Sequence, residues 1–296
     1  MPRIRYENIN IQRKGLILIE QINAIIAEYE KAGYTLTLRQ AYYQLVSRDL
    51  IPNTENSYKN IGNLINSGRL AGLIDWNSIE DRTRYSRARP HWETPAEIVR
   101  DAANAYHRDL WEGQSRYAET WVEKDALIGI VEQAARRLDC PCFSCRGYAS
   151  SSALWNAANR FIEKAEQGKD CIIIYLGDHD PTGINIPNDI REKMALFGAT
   201  VDVQRIALNM DQIKEYSPPP NPAKESDPRY KGYEAKYGEC SWELDALKPE
   251  VLDRLITAAI KSNLDPKKYN RAIKREETER KKITALLPFV EAAGKL

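Results

Sequence analysis

The run Leu176-Gly177-Asp178-His179-Asp180-Pro181-Thr182-Gly183 holds two carboxylates separated by one residue, directly behind the apolar, β-branched stretch Cys171–Leu176. That stretch reads as a buried central strand, and ligands of open α/β sheets bind outside the carboxyl ends of such strands. Paired carboxylates at that edge are hard oxygen donors of the kind Mg²⁺ takes. Their mutual repulsion is costly unless a cation sits there. Trp121-Val122-Glu123-Lys124 ends an earlier strand candidate and brings a third acid to the same edge. The expected metal set is therefore Glu123, Asp178 and Asp180. The plainer alternative is three solvated loop acids that cap helices.

A second group with chemical potential is Thr37-Leu38-Arg39-Gln40-Ala41-Tyr42-Tyr43. A tyrosine pair in an amphipathic helix most often serves packing. A phenol is also a poor nucleophile at neutral pH, because its pKa is about 10. A nearby base, cation or metal has to assist it. Arg39 lies one helical turn before Tyr43 on the same face, where it can reach the same phosphate.

These residues need elements to hold them. Leu16, Ile19, Ile22, Ile26 and Tyr29 fall at helical spacing, so Gly15–Tyr29 is predicted as an amphipathic helix ended by Gly33. Thr37 to Gln40 reads as a capping box that opens a second helix from Leu38 to about Leu50, stopped by Pro52. A third helix is expected from Thr54 to Asn66, closed by Ser67-Gly68, then a short apolar stretch Leu70–Trp76 and a polar run Asn77–Pro90. Three short helices followed by a ribbon-like segment is the pattern of a winged helix-turn-helix.

From about Ala118 strands and helices alternate. Strands are expected at Ala118–Val122, Pro141–Arg146, Cys171–Leu176 and Thr200–Ile206. Helices are expected at Asp125–Leu138, Ser151–Gln167 and Asn188–Leu196. That alternation means a Rossmann-like α/β domain with a parallel sheet. Ser217–Tyr237, rich in proline and charge, is expected to be loop, and Pro249–Asn263 and Lys267–Ala293 helical. The two halves divide near Leu110–Gln114, giving a helical domain at 1–112 and an α/β domain at 113–296.

Composition narrows the class. With 29% charged and 43% hydrophobic residues, the chain is an ordinary globular protein rather than a disordered one. Its longest apolar runs are too short to cross a bilayer, and no apolar signal core follows Met1-Pro2-Arg3-Ile4-Arg5. The expectation is an intracellular protein with no membrane partner. Cys140, Cys142 and Cys145 cluster, but no CxxC pair or histidine completes a zinc set, so reduced thiols in or near a strand are favoured over a metal site. Lys+Arg number 43 and Asp+Glu 42, a formal charge of +1. A sum so close to zero would ordinarily count against nucleic acid, yet it hides where the charges sit.

The acidic motif resembles a known domain. Glu123 followed by Asp178-His179-Asp180 on alternating strands and helices is similar to the Toprim domain of topoisomerases and related nucleases. The fuller string Gly177–Gly183, with Val122-Glu123-Lys124, resembles one branch: the A subunit of topoisomerase VI and the meiotic double-strand-break protein. In that branch a winged-helix domain precedes Toprim, and a Thr-x-Arg-x-x-Tyr-Tyr string carries the nucleophile on its second tyrosine, which falls on Tyr43. The resemblance covers most of the chain and is weakest beyond about Ser217. There Asn221-Pro-Ala-Lys224 and Trp242-Glu243-Leu244-Asp245-Ala246-Leu247 resemble tail motifs of stand-alone relatives.

The resemblance implies that Tyr43 attacks a phosphate of double-stranded DNA, leaving a 5′-phosphotyrosyl bond and a free 3′-hydroxyl. Arg39 would contact the phosphate, Asp178 and Asp180 would hold Mg²⁺, and Glu123 would be a ligand or general acid-base. It also implies a homodimer, in which the tyrosine of one protomer meets the metal of the other and two staggered cuts result. Glu243 or Asp245 could approach the metal or be structural.

Arg82, Arg84, Arg87 and Arg89, interleaved with Tyr85 and Trp92, are consistent with a phosphate-tracking strip behind the wing, or equally with a solvated charged loop. Lys267–Lys282 mixes both signs and reads as a solvated helix face; His91 and His107 attract no role. No glycine-rich phosphate loop is present, so ATP-driven strand passage would need a separate ATPase subunit. Three readings follow: a tyrosine-dependent, topoisomerase-like enzyme; a Toprim endonuclease that uses activated water; or a DNA-binding module with a vestigial site. The near-neutral sum is what a chain with both a cation site and a phosphate surface would show. It predicts modest DNA affinity per protomer.

Overall fold

The computed structural model describes residues 3–80 and 89–293. Three helices open the chain: α1 (Arg13–Lys31), α2 (Leu38–Ser47) and α3 (Glu55–Leu70). The capping box at the start of α2 forms. Gln40 N donates to Thr37 Oγ1 and Thr37 N donates to Gln40 Oε1, at 3.3 and 2.8 Å. The third helix runs past Ser67-Gly68, against expectation. Gly68 is not a stop but a close-packing point, where a Cβ would lie 2.9 Å from Ile74 Cδ1. The helix ends before Gly72, whose φ of +74° suits glycine. Between the end of α3 and residue 80 the described residues form only isolated bridges, Ala71 with Arg5 and Ile79 with Leu36. The expected wing overlaps residues 81–88, which lie outside the described residues.

Next comes α4 (Pro95–Ala105), unforeseen although Thr94 caps it and Pro95 occupies its first turn. The α/β half then runs β1 (Arg116–Val122), a 3₁₀ turn at Asp125–Leu127, α5 (Ile128–Arg136), β2 (Cys142–Ser144), α6 (Ser151–Glu166), β3 (Asp170–Leu176), α7 (Pro181–Leu196) and β4 (Asp202–Ala207). The four strands are parallel in the order β2-β1-β3-β4. Alternate residues of β3 feed two cores. Ile172, Ile174 and Leu176 join the cluster that includes α5, while Cys171, Ile173 and Tyr175 join the cluster with α6 and α7.

After β1 the chain moves to one side of the sheet, and after β2 it crosses to the other. The switch point therefore lies between β1 and β3, where α/β sheets bind ligands. Glu123 and Asp178 follow those two strands.

The remaining elements are α8 (Met210–Tyr216), β5 (Asn221–Pro222), α9 (Tyr230–Tyr237), β6 (Cys240–Ser241), a 3₁₀ turn at Leu244–Ala246, α10 (Pro249–Ser262), α11 (Pro266–Thr284) and α12 (Leu287–Ala293). The segment expected to be loop thus contains a helix and one strand of a two-residue ladder. Tyr233 on α9 is buried against His179, which anchors the helix. The long terminal helix is two helices, and its face is not fully solvated. Glu276 of α11 is buried and accepts from Arg108 N at 2.8 Å. His107 Nδ1 lies 3.3 Å from the same carboxylate, so this histidine has a structural partner.

One apolar cluster runs without a break from Ile22 and Tyr42 of the helical half to Val122, Val131 and Ile256 of the α/β half. Polar contacts reinforce the junction. Tyr34 Oη donates to Asp253 Oδ2 at 2.8 Å, and Arg137 Nη2 donates to both Asp253 oxygens at 2.7 and 2.6 Å. Burial pushes the Asp253 carboxyl up, but the Arg137 and Tyr34 hydrogen bonds outweigh it and hold it below its ordinary value. A carboxylate so depressed adds stability above its unfolded pKa of about 4, and loses it as pH falls through the folded value. Asp253→Asn is therefore expected to destabilise the chain near neutrality. In urea melts across pH, that deficit should shrink as pH drops below about 4. No helix among the described residues is long and apolar enough to cross a membrane.

Candidate active site at the carboxyl edge of the sheet

Asp178 is buried at the sheet edge with both oxygens engaged. Oδ1 accepts from Leu244 N at 2.8 Å, and Oδ2 pairs with Lys124 Nζ at 2.7 Å. Glu123 is also buried. Its Oε2 accepts from Asp178 N at 3.0 Å and from Tyr175 Oη at 3.3 Å. Burial, then the charges of Asp178 and Asp180, push the Glu123 carboxyl up to about 8. Asp180 is a helix cap: its Oδ1 accepts from Gly183 N at 2.5 Å, with Pro181 in the first turn of α7. The capping alternative is thus correct for one oxygen of Asp180.

The structure brings together the three acids foreseen from the sequence, and adds Asp245 and Glu243 to them. Asp245 is fully buried. Lys124 Nζ lies 3.7 Å from its Oδ1, and Arg39 Nε lies 3.2 Å from its Oδ2. Both Asp245 oxygens lack a well-aligned hydrogen-bond donor. Lys124 also pairs with Glu243. Lys124 is a buried cation of this edge beside Arg39, although the sequence marked it only as the neighbour of Glu123. Among the described residues no three of His, Cys, Asp and Glu stand as a preformed ligand set. The donor chemistry nevertheless fits a hard divalent ion. The carboxylates are close enough to repel, Glu123 resists ionisation through burial first and that repulsion second, and Asp245 retains unsatisfied acceptors.

Tyr43 lies on the same side. The two tyrosines of α2 differ in their surroundings. Tyr42 is core, with its Oη donating to Asn53 Oδ1 at 2.9 Å and its ring edge-on to Tyr58. Tyr43 is half-buried and lines a cleft of about 330 Å³ with Arg39, Asn53, Thr54 and Tyr58. The Arg39 guanidinium lies 5.6 Å from the Tyr43 ring centre, and Lys124 Nζ lies 5.5 Å from it. Burial raises the Tyr43 phenol, while the charges of Lys124 and Arg39 pull it back only in part. The phenol is therefore protonated at neutral pH and needs help to attack. A second cleft, about 410 Å³, is lined by Thr37, Arg39, Tyr58, Asn66 and Arg69 among others.

The acidic loop is held by Arg205, which nothing in the sequence singled out. Helix α7 begins at Pro181 and continues through Pro187, earlier than the expected start at Asn188. Pro187 has no N–H to give the Gly183 carbonyl four residues back. Arg205 Nη1 fills that vacancy at 2.9 Å, while Nη2 donates to the carbonyls of Gly177, Asp178 and Leu208 at 3.0, 2.7 and 3.0 Å. A lysine has no planar fork with which to serve four carbonyls. Arg205→Lys is expected to cost about 2–4 kcal/mol in a denaturant melt, because buried carbonyls lose their donors.

His179 points away from the acids, with Nδ1 2.7 Å from Tyr233 Oη and its ring among Tyr233, Tyr237 and Trp242. Burial, then the Arg205 charge, lowers its pKa to about 4, so it is neutral and structural. All five cysteines are free thiols, with Cys142 on β2 and Cys140 and Cys145 beside it. Of the proposed basic strip, Arg89 is exposed, while Arg82, Arg84 and Arg87 lie outside the described residues. Comparison with family models, with curated proteins and with solved structures finds no match.

Proposed function

We propose that this chain is a Mg²⁺-dependent DNA-cleaving enzyme of the topoisomerase VI A-subunit type, with a winged-helix N-terminal half and a Toprim-like α/β half. One observation carries the reading: α2 presents Tyr43 and Arg39 to a buried carboxylate edge at the switch point of a parallel sheet, with Lys124 between them. Glu123, Asp178 and Asp180 would hold the ion, with Asp245 close by. A bound Mg²⁺ would neutralise phosphate charge and stabilise the pentacovalent transition state.

The chain's own groups account for the rest. Arg39 orients the phosphate. Tyr43 Oη attacks phosphorus and gives its proton to water, and the bond from phosphorus to the 3′ oxygen breaks. Tyr43 is left joined to the 5′ phosphate, and the 3′ oxygen takes a proton to become a hydroxyl. Glu123, which keeps its proton up to about 8, is suited to supply it if it is not a ligand. A homodimer would give staggered cuts in both strands, and ATP-driven strand passage would call for a separate ATPase subunit.

The upward shift of the Tyr43 phenol favours a second reading, in which the same acids activate water and Tyr43 is inert. The pairing of Lys124 with Asp178 and Asp245 is also compatible with a binding module that needs no metal. Incubation with labelled duplex DNA and Mg²⁺, followed by denaturation, separates the three. A protein–DNA adduct supports the tyrosine reading, cleavage without adduct the hydrolytic one, and salt-sensitive binding without cleavage the binding module.

A further inference from the structure

We infer that Lys124 is a built-in competitor for the divalent ion: its ammonium serves Asp178, Glu243 and Asp245 as their counter-ion, and so sets the Mg²⁺ concentration at which this edge takes a metal. The inference deepens the reading of the edge as a metal site and rests on it. Lys124 directly follows Glu123 at the end of β1, and its side chain is only 11% exposed. Nζ pairs with Asp178 Oδ2 at 2.7 Å, pairs with Glu243, and lies 3.7 Å from Asp245 Oδ1. Carboxylates from two separate segments of the chain thus converge on one ammonium. The other Asp178 oxygen accepts from Leu244 N at 2.8 Å. That bond fixes the carboxylate with Oδ2 toward the lysine, so the ammonium and a metal compete for the same oxygen.

Charge decides the exchange. A buried carboxylate without a cation is costly, which is why a folded edge of this kind needs a resident one. Lysine fills the part incompletely. It brings one positive charge to three acids, and both Asp245 oxygens stay without a well-aligned donor even with Arg39 Nε 3.2 Å from Oδ2. Mg²⁺ carries twice the charge and takes carboxylate oxygens as ligands. The ammonium, however, is tethered, so dilution does not relieve its competition and only a rise in metal concentration does. The edge therefore loads at a higher Mg²⁺ concentration than its acids alone would require. A lysine that only braced the loop carrying Glu243 and Asp245 would behave differently. Its removal would lower stability and leave metal affinity unchanged or weaker.

Lys124→Met removes the charge and keeps most of the stem. In calorimetric titration of EDTA-treated, dialysed protein with MgCl₂ alone, its dissociation constant is expected to be at least ~10-fold lower than that of wild type. In EDTA the variant should melt below wild type, because the buried acids have lost their counter-ion, and saturating MgCl₂ should close the gap. Equal or weaker Mg²⁺ binding by the variant, or a gap that MgCl₂ leaves unchanged, would overturn the inference while the metal site itself stands. Absence of Mg²⁺ binding in both chains would overturn the two together. Lys124→Gln keeps a donor for Asp178 without the charge, and replaces the methionine variant in the titration if that chain does not fold in EDTA. If neither variant folds in EDTA, a cooperative melt regained in MgCl₂ supports the exchange, and failure to regain it overturns the exchange.

Discussion

Tyr43→Phe is expected to abolish covalent adduct formation, by at least ~1000-fold, while leaving the fold intact. The substitution removes one oxygen and nothing else. The ring keeps its edge-on contact with Tyr42 and its place beside Arg39 and Lys124. A single partly buried hydroxyl is worth about 1 kcal/mol of stability, so the melting midpoint should move little. DNA binding should stay within a few-fold of wild type, because Arg39 and the cleft remain. An effect on cleavage with none on folding or binding is the signature of a nucleophile. Tyr42→Phe is the control. Tyr42 Oη is spent on Asn53 and the Thr54 carbonyl, so that change should cost some stability and spare the adduct.

Asp178→Asn is expected to reduce cleavage by at least ~100-fold and to remove the response to Mg²⁺. Asparagine keeps the shape of the side chain and an acceptor for Leu244 N, so the loop that carries Glu243 and Asp245 should stay docked. What it loses is the charge that faces Lys124 and helps make this edge suit a cation. A ligand that binds only the folded state raises its stability. Mg²⁺ should therefore raise the melting temperature of wild type and not that of Asp178→Asn. This readout does not depend on activity, and equal protection of both chains would place the ion elsewhere.

The edge of the sheet was legible in the sequence because its signals are local. Cys171–Leu176 is continuously apolar with three β-branched isoleucines, as suits a strand buried on both faces, and acids behind two adjacent strands fall at one edge. The capping box at Thr37 and Gln40 likewise needs only neighbours in the chain. What stayed hidden depends on tertiary register. Arg205 reaches the acidic loop because β4 lies beside β3, and its value follows from a carbonyl that Pro187 leaves without a donor. Lys124 looked like an ordinary charged residue after a strand until Asp245, 121 positions later, folded against it. Helical spacing alone could not tell Tyr42 from Tyr43; only the resemblance singled out Tyr43, and which of the two faced Tyr58 and the core awaited the fold. Tyr230–Tyr237 read as loop because its proline-rich, charged context masked a helix that one buried tyrosine anchors.

The central claim is that Tyr43 becomes joined to DNA, and mass spectrometry of the adduct tests it most directly. After reaction with Mg²⁺ and exhaustive nuclease digestion, the tryptic peptide containing Tyr43 should carry a nucleotide through its 5′ phosphate, and EDTA should abolish the modification. Cleaved DNA with free 5′-phosphate ends and an unmodified Tyr43 peptide would contradict the account.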